Sequence, residues 1–341
     1  MSGELAELLR AMPKVELHLH LEGTLEPEMM LRMAARNHVS LPYRTAAEAA
    51  RAYRFPNLQG FLDLYALGAR CLVTEEDFYE LAMAYFSRCR EQNIVHAEVF
   101  FDPQGHLARG VAMGTLFAGI EAARDRIFRE AGMTTELVLC FERDRPAANT
   151  VELLEEACLA GEIVGIGLDS AERGNPPGKF REVFGAAAAL GLHRVAHAGE
   201  EGPPAYIWEA LQVLQAERVD HGVRCTEDPA LVAYLAERRI PLTVCPLSNV
   251  ALGVFPSLEA HNLGQLFEAG LAVTVHSDDP AYFGGYLTEN LVSVLAAQQM
   301  GIREAVALQR NGIDAAFCSA ERKAGLHRQL SGFLESWGIP V

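Results

Sequence analysis

The chain has 341 residues, half of them hydrophobic and 22% charged, enough for one large α/β unit and for a sizeable core without covalent staples. Its 29 basic against 45 acidic side chains leave a formal net charge of −16, which argues against a nucleic-acid backbone or an anionic membrane as partner. Seven scattered cysteines without a CxxC pair, no apolar run of the roughly 18 residues a bilayer needs, and a first segment Met1–Met12 unlike a secretory leader point to a soluble, cytoplasmic protein.

Along the chain, short apolar runs recur, each leading into a polar or glycine-containing turn: Val15–His20, Ile94–Phe101, Leu137–Phe141, Ile163–Leu168, His193–His197, Arg218–His221, Leu242–Cys245 and Leu271–His276. They are short for helices and several are rich in Val and Ile, as buried parallel strands are. Amphipathic stretches lie between them. Thr74–Asn93 opens with Thr74 as N-cap and Glu75, Glu76 and Asp77 in the first turn, and keeps Phe78, Leu81, Ala82, Tyr85, Phe86 and Cys89 on one face. Another helix follows Pro203–Pro204, where proline suits a helix start. The last six strands begin about every 24–30 residues, the length of a βα repeat. Eight such units predict an α/β chain folded as a (β/α)8 TIM barrel, with residues 1–341 in one domain. The long segment Glu22–Asn93 reads as a helical insertion after strand one, at the rim where lids and pockets sit. A doubly wound open sheet is the alternative.

Four predicted strand ends carry unusual groups: His18-Leu19-His20, His197-Ala198-Gly199-Glu200, Asp220-His221-Gly222 and Ser277-Asp278-Asp279-Pro280. Residues i and i+2 of a strand share a face, so His18 and His20 can both point into the barrel mouth. Three imidazoles and a carboxylate converging there make an N/O site suited to Zn2+ with a position open for water. Each piece alone has an ordinary explanation: a hydrogen-bonded core histidine, an Asp-Asp-Pro turn that starts a helix. Together, each at the end of a separate strand, they read as a hydrolase site. His38, His106, His261 and His327 fall in loops or helices and are expected at the surface; His96 and His193, early in their strands, are expected to be structural. The only lysines are Lys14, Lys179 and Lys323. None stands at a strand end, where a carbamylated bridge between two metals would be, so one metal is expected. The His-x-Glu…Pro-Cys-x-x-Cys pattern of the nucleobase-deaminase zinc site is absent.

Pro13 to Thr24 (PKVELHLHLEGT), His197-Ala198-Gly199-Glu200, Asp220-His221-Gly222 and Ser277-Asp278-Asp279-Pro280, in that order and supported by Leu242 to Asn249, resemble the adenosine/adenine deaminase family of the amidohydrolase superfamily. Phe101-Asp102-Pro103-Gln104, Gly167 to Ser170 and Ala281 to Tyr286 are similar to its adenine deaminase branch. The resemblance implies one zinc ion per chain on His18, His20, His197 and Asp278. It makes Glu200 the acid that donates to N1 of a purine, and His221 the group that receives a proton from the attacking water or orients it. Asp279 binds N7. The implied reaction turns adenine into hypoxanthine and ammonia in purine salvage, with N6-substituted adenines, adenosine, or an inactive purine-binding barrel as alternatives. Glu22, where adenosine-specific relatives carry Asp, is expected to project into the space a ribose needs. Asp169 is expected either to accept N9–H of the base or to cap a turn with Ser170. His276, two residues before Asp278, is expected to touch the shell around the metal or the pocket.

Overall fold

The computed structural model describes residues 3–55 and 57–339. Eight strands, β1 (Lys14–Glu16), β2 (Ile94–Phe101), β3 (Thr134–Glu142), β4 (Gly165–Asp169), β5 (His193–Ala198), β6 (Arg218–His221), β7 (Leu242–Val244) and β8 (Val273–Val275), lie parallel and in sequential order. The ring closes past the formal strand ends, where Leu19 bridges Asp278, His20 N–H donates to Asp278 O and Asp278 N–H donates to His18 O. The fold is the expected α/β barrel. Strands β1, β4, β6, β7 and β8 are buried along their whole length, as strands covered on both faces must be.

Helices follow the strands around the outside, and one large apolar cluster joins them to the barrel. The helix Glu75–Glu91 is capped as its sequence indicates: Thr74 Oγ1 accepts the Asp77 N–H while the Asp77 carboxylate accepts the Thr74 N–H at 2.8 Å. The insertion after β1 adds the helices Pro27–Arg36, Ala46–Ala52 and Leu58–Ala69. The last lies across the mouth, where Leu58, Phe61 and Leu64 pack with Leu252, Tyr282 and Phe283 in a small cluster of their own. This apolar roof keeps bulk water from the strand ends beneath it.

Below the mouth the barrel is polar. Arg218 on β6 reaches Glu98 on β2 at 2.7 Å and donates to the Leu17 carbonyl at 3.1 Å. All of this is buried, so removing one partner leaves an uncompensated charge and costs roughly 3–5 kcal/mol. The pair thereby ties β6 to the segment carrying His18. All seven cysteines are free and five of them buried. Among the described residues no helix is long and apolar enough to cross a membrane.

Candidate active site

The chain turns sharply where the strands end. Ser170, His221 and Asp278 adopt left-handed φ values of 67°, 62° and 63°. These are costly for residues with a Cβ, and such conformations concentrate where side chains are re-aimed at functional sites. After β1, single bridges at Leu19 and His20 keep the backbone extended, so His18 and His20 face inward together.

His18, His20, His197 and Asp278 place four buried ligand atoms within 4.8 Å of one another. His197 Nε2 stands 3.1 Å from His18 Nε2 and 3.2 Å from His20 Nε2, and Asp278 Oδ1 stands 3.2 Å and 3.5 Å from the same two nitrogens. A tetrahedron of donors ~2.0–2.1 Å from a zinc ion has edges of about 3.3 Å. Four of the six donor separations are close to that edge, and all six fall within 4.8 Å. The chemistry of the donor set agrees, because the other ring nitrogens face groups that take a proton. His18 Nδ1 is 2.9 Å from Thr243 Oγ1, which itself donates to Asp220 Oδ1 at 2.7 Å. His197 Nδ1 is 3.5 Å from Asp220 Oδ2, and His20 Nδ1 is 3.6 Å from Asp169 Oδ2. With the protons on Nδ1, three Nε2 lone pairs point at one spot, an arrangement a cation relieves.

Next to this cluster, His221 Nε2 lies 3.8 Å from both Glu200 Oε2 and Asp278 Oδ2. That is too long for a direct hydrogen bond and suits one bridging oxygen. Burial first, then the charges of Asp278, Glu172 and Glu201, push the Glu200 carboxyl well above the usual range, which favours its protonated form. Burial also holds His221 well below the usual imidazole value. Its tautomer follows from a chain of bonds that begins at a backbone group. Leu263 N–H donates to His261 Nδ1 at 3.0 Å, so neutral His261 carries its proton on Nε2 and donates to Asn249 Oδ1 at 3.2 Å. Asn249 Nδ2 then faces His221 Nδ1 at 3.2 Å and Glu200 Oε1 at 3.3 Å. His221 Nδ1 is thus an acceptor and Nε2 carries the proton toward the gap.

Asp279 is buried with Oδ1 unpartnered, and burial followed by the charge of Asp278 raises its carboxyl well above the usual range. It sits so close to Gly23 that a Cβ there would overlap its carboxylate, which is the physical reason for glycine in the first motif. The Glu172 carboxylate accepts four successive backbone N–H groups, those of Gly199, Glu200, Glu201 and Gly202, at 2.7, 3.1, 2.8 and 2.7 Å.

All seven residues singled out from the sequence converge here; His20, His197, Glu200, His221, Asp278 and Asp279 line one cavity, with His18 buried beside it. Other expectations need correction. His106 and His261 are 1% and 5% exposed rather than surface residues. Glu22 does not reach into the central cavity: its Oε1 accepts from His106 Nε2 at 2.9 Å and from Asp102 N–H at 3.3 Å, which turns it aside. Asp169 does take the Ser170 hydroxyl, at 3.3 Å, but its other oxygen faces His20. Of the two places expected for His276, the pocket is not one: it lies outside that cavity, its Nδ1 accepting from Leu17 N–H at 3.1 Å and its Nε2 2.8 Å from Thr274 Oγ1, while the charge of His18 still reaches it. Asp102, Glu172, Thr243, Asn249 and His261 were missed as site residues, as was the part Asp220 plays.

Residues 13–332 match the family described as adenosine deaminase. A protein named adenine deaminase from Trichlorobacter lovleyi is 51% identical over 333 residues, 97% of this chain and 95% of the relative. The crystal structure of an adenine deaminase from Arthrobacter aurescens superposes with a TM-score of 0.93 at 44% identity, covering 95% of this chain and 99% of that one. An amidohydrolase structure from Burkholderia ambifaria with bound Zn has a TM-score of 0.89 at 26% identity, covering 98% and 95%.

Proposed function

The chain belongs to the adenosine deaminase family, and from that premise we propose that one zinc ion per chain is held by His18, His20, His197 and Asp278, with Glu200, His221 and Asp279 acting on the substrate. The protein is an adenine deaminase, hydrolysing adenine to hypoxanthine and ammonia. The observation that carries the site assignment is the convergence of three Nε2 atoms and Asp278 Oδ1 within 4.8 Å, with His197 Nε2 and Asp278 Oδ1 each 3.1–3.5 Å from the Nε2 atoms of His18 and His20, beside a buried glutamic acid. Among the described residues two other groupings, His221–Cys245–Asp278 and His20–Asp102–Asp169, share Asp278 or His20 with this one. Because each of them shares a ligand with the first, the reading is one ion per chain.

When bound, zinc would supply a positive charge that lowers the pKa of a water beside it and so eases its deprotonation. The chain's own groups do the rest. His221 Nε2–H holds the attacking oxygen at the focus of Glu200, His221 and Asp278. Asp278 Oδ2, which faces that focus while Oδ1 faces the histidines, takes the water proton. Glu200 donates to N1, so addition at C6 builds no ring anion, and protonated Asp279 donates to N7. The proton taken from water reaches the amino group, which leaves as ammonia, and the hydroxyl proton restores Glu200. The roof of Leu58, Phe61 and Leu252 excludes bulk water during these transfers. The ligand is a small-molecule purine of salvage metabolism and the compartment cytoplasmic.

The test is ammonia release by zinc-loaded protein from adenine, adenosine and N6-alkyl adenines, with elemental analysis of the same preparation. Adenine is expected to be fastest, with one zinc per chain. Adenosine turning over as well as adenine, or two metals per active chain, would overturn the respective assignment.

A further inference from the structure

We propose that Asp102, at the end of β2, is the residue that selects the free base, its unpartnered Oδ1 accepting the N9–H of the purine. The inference rests on the adenine reading above and names the group that enforces it. Adenine carries two kinds of N–H donor, the N6 amino group and N9–H. With C6 over the metal cluster, N1 toward Glu200 and N7 toward Asp279, the amino group is the leaving group, and N9–H is the one donor still without an acceptor.

Among the described residues, three buried carboxylate oxygens of cavity-lining residues accept from no N–H or hydroxyl group: Asp279 Oδ1, Asp169 Oδ2 and Asp102 Oδ1. Asp279 is assigned to N7. Asp169 Oδ2 faces His20 Nδ1 at 3.6 Å, and the Asp169 carboxyl, raised well above the usual range by burial and then by the charge of Asp102, also meets the Asp102 carboxylate. Asp102 Oδ1 remains, and the surroundings of Asp102 are built to aim it. Its Oδ2 accepts the Tyr65 hydroxyl at 2.6 Å, and its peptide N–H is anchored on Glu22 Oε1 at 3.3 Å. Glu22 is in turn held by His106 at 2.9 Å, and His106 Nδ1 by Arg109 at 2.8 Å.

The same residues form a wall. Tyr65 and Asp102 line the catalytic cavity on one side and a larger outer cavity, reached by Glu22, His106 and Arg109, on the other. A substituent on N9 meets this wall and also leaves Asp102 Oδ1 buried and unpaired. Sites that hydrogen-bond a substrate N–H reject analogues lacking it by up to ~10⁴–10⁵-fold, because the polar group is then stranded. Glu22 thus acts against a ribose by holding Asp102 and Tyr65 in place rather than by filling the space itself.

The experiment compares kcat/KM for adenine, 9-methyladenine and 3-deazaadenine in wild type, Asp102→Ala, Asp102→Asn and Tyr65→Phe, with zinc content and thermal midpoint recorded for each. Wild type is expected to prefer adenine over 9-methyladenine by ~10³-fold or more. In Asp102→Ala that ratio is expected to collapse to within about tenfold, through loss on adenine, while the penalty for 3-deazaadenine stays as in wild type. Should Asp102→Ala fail to fold, Asp102→Asn carries the test, with an intermediate ratio expected because its amide oxygen still accepts. An equal loss on adenine and 9-methyladenine would make Asp102 merely structural and overturn the proposal. So would a vanishing 3-deazaadenine penalty, which would place Asp102 at N3, or an absent preference in wild type. Wild-type protein that deaminates adenosine and ignores adenine would instead sink the adenine reading, whatever the variants do.

Discussion

The carboxylate of Glu172 accepts the backbone N–H of Glu200 at 3.1 Å, and the neighbouring N–H groups of Gly199, Glu201 and Gly202 converge on the same two oxygens. The loop carrying the proposed acid is therefore wrapped around one anion. A glutamine in its place would turn an NH2 donor toward backbone donors and strand some of them, at about 1–3 kcal/mol each. Glu172→Gln is expected to keep zinc, because His197 is set by β5, but to lower kcat by ~10²-fold, the scale of a displacement of about 1 Å at a catalytic group. Metal analysis with steady-state kinetics checks both halves. Near-native kcat would mean that the loop is held by its other contacts.

The side chains behind the metal ligands make a second expectation. Asp220 faces His197 Nδ1 and, through Thr243, also steadies His18. Removing such a partner typically lowers metal affinity 10–100-fold. Asp220→Asn is expected to bind zinc about that much more weakly in competition with a chelator, and to regain much of its activity in excess zinc. His18→Ala is expected to lose zinc and activity together, with no recovery. Unchanged affinity in Asp220→Asn would show that His197 does not depend on it.

These partners also mark what the sequence makes legible. That His18, His20, His197, Glu200 and Asp278 converge is legible because each stands at or just past a strand end, where two residues of an HxH pair share a face. Thr243 and Asp220 acquire their role from register: they are paired across β6 and β7, and neither residue type signals this on its own. His106, in the short helix Pro103–Leu107, and His261, in a loop, depart from the expected exposure because neither kind of position implies it. Both are in fact drawn inward by partners far along the chain or across a turn, Glu22 and Asn249. Glu22 was judged by its length alone, whereas its direction depends on a histidine 84 positions away. The eight-strand pattern survived because each apolar run is short and bounded by turns, even where β1 and β8 are three residues long and the chain beyond them makes single bridges.

His261 gives a pH prediction. Burial lowers its imidazole from 6.5 to about 4 in the folded protein. Between those values the unfolded chain binds more protons than the folded one, so stability rises with pH there. The contribution of neutral His261 is fully present above pH 6.5 and is lost as pH falls toward 4, amounting to at most ~3 kcal/mol. Protonation would also set an N–H on Nδ1 against the Leu263 N–H. The thermal midpoint of wild type is expected to fall between pH 6.5 and 4 more steeply than that of His261→Gln, which keeps a donor for Asn249 but does not titrate. Parallel curves for the two proteins would refute the assignment.

Glu200 is the sharpest test of the chemistry. Its Oε1 accepts from Asn249 and its Oε2 faces His221 across 3.8 Å, so glutamine fits the same space without disturbing the metal cluster. The amide cannot give a proton to N1 and take one back. Such a group contributes typically ~10²–10⁴-fold. Glu200→Gln is therefore expected to keep one zinc per chain and to bind adenine with little change, while kcat falls within that range. A KM shift with kcat intact would make Glu200 a binding group only. Loss of zinc would mean that the carboxylate belongs to the metal set. His221→Ala separates the remaining roles. With Nε2–H as the group that holds the attacking oxygen, the alanine variant is expected to keep zinc and lose turnover at every pH. An imidazole acting instead as the base would give a variant whose residual rate climbs steeply with pH, as solvent hydroxide replaces it.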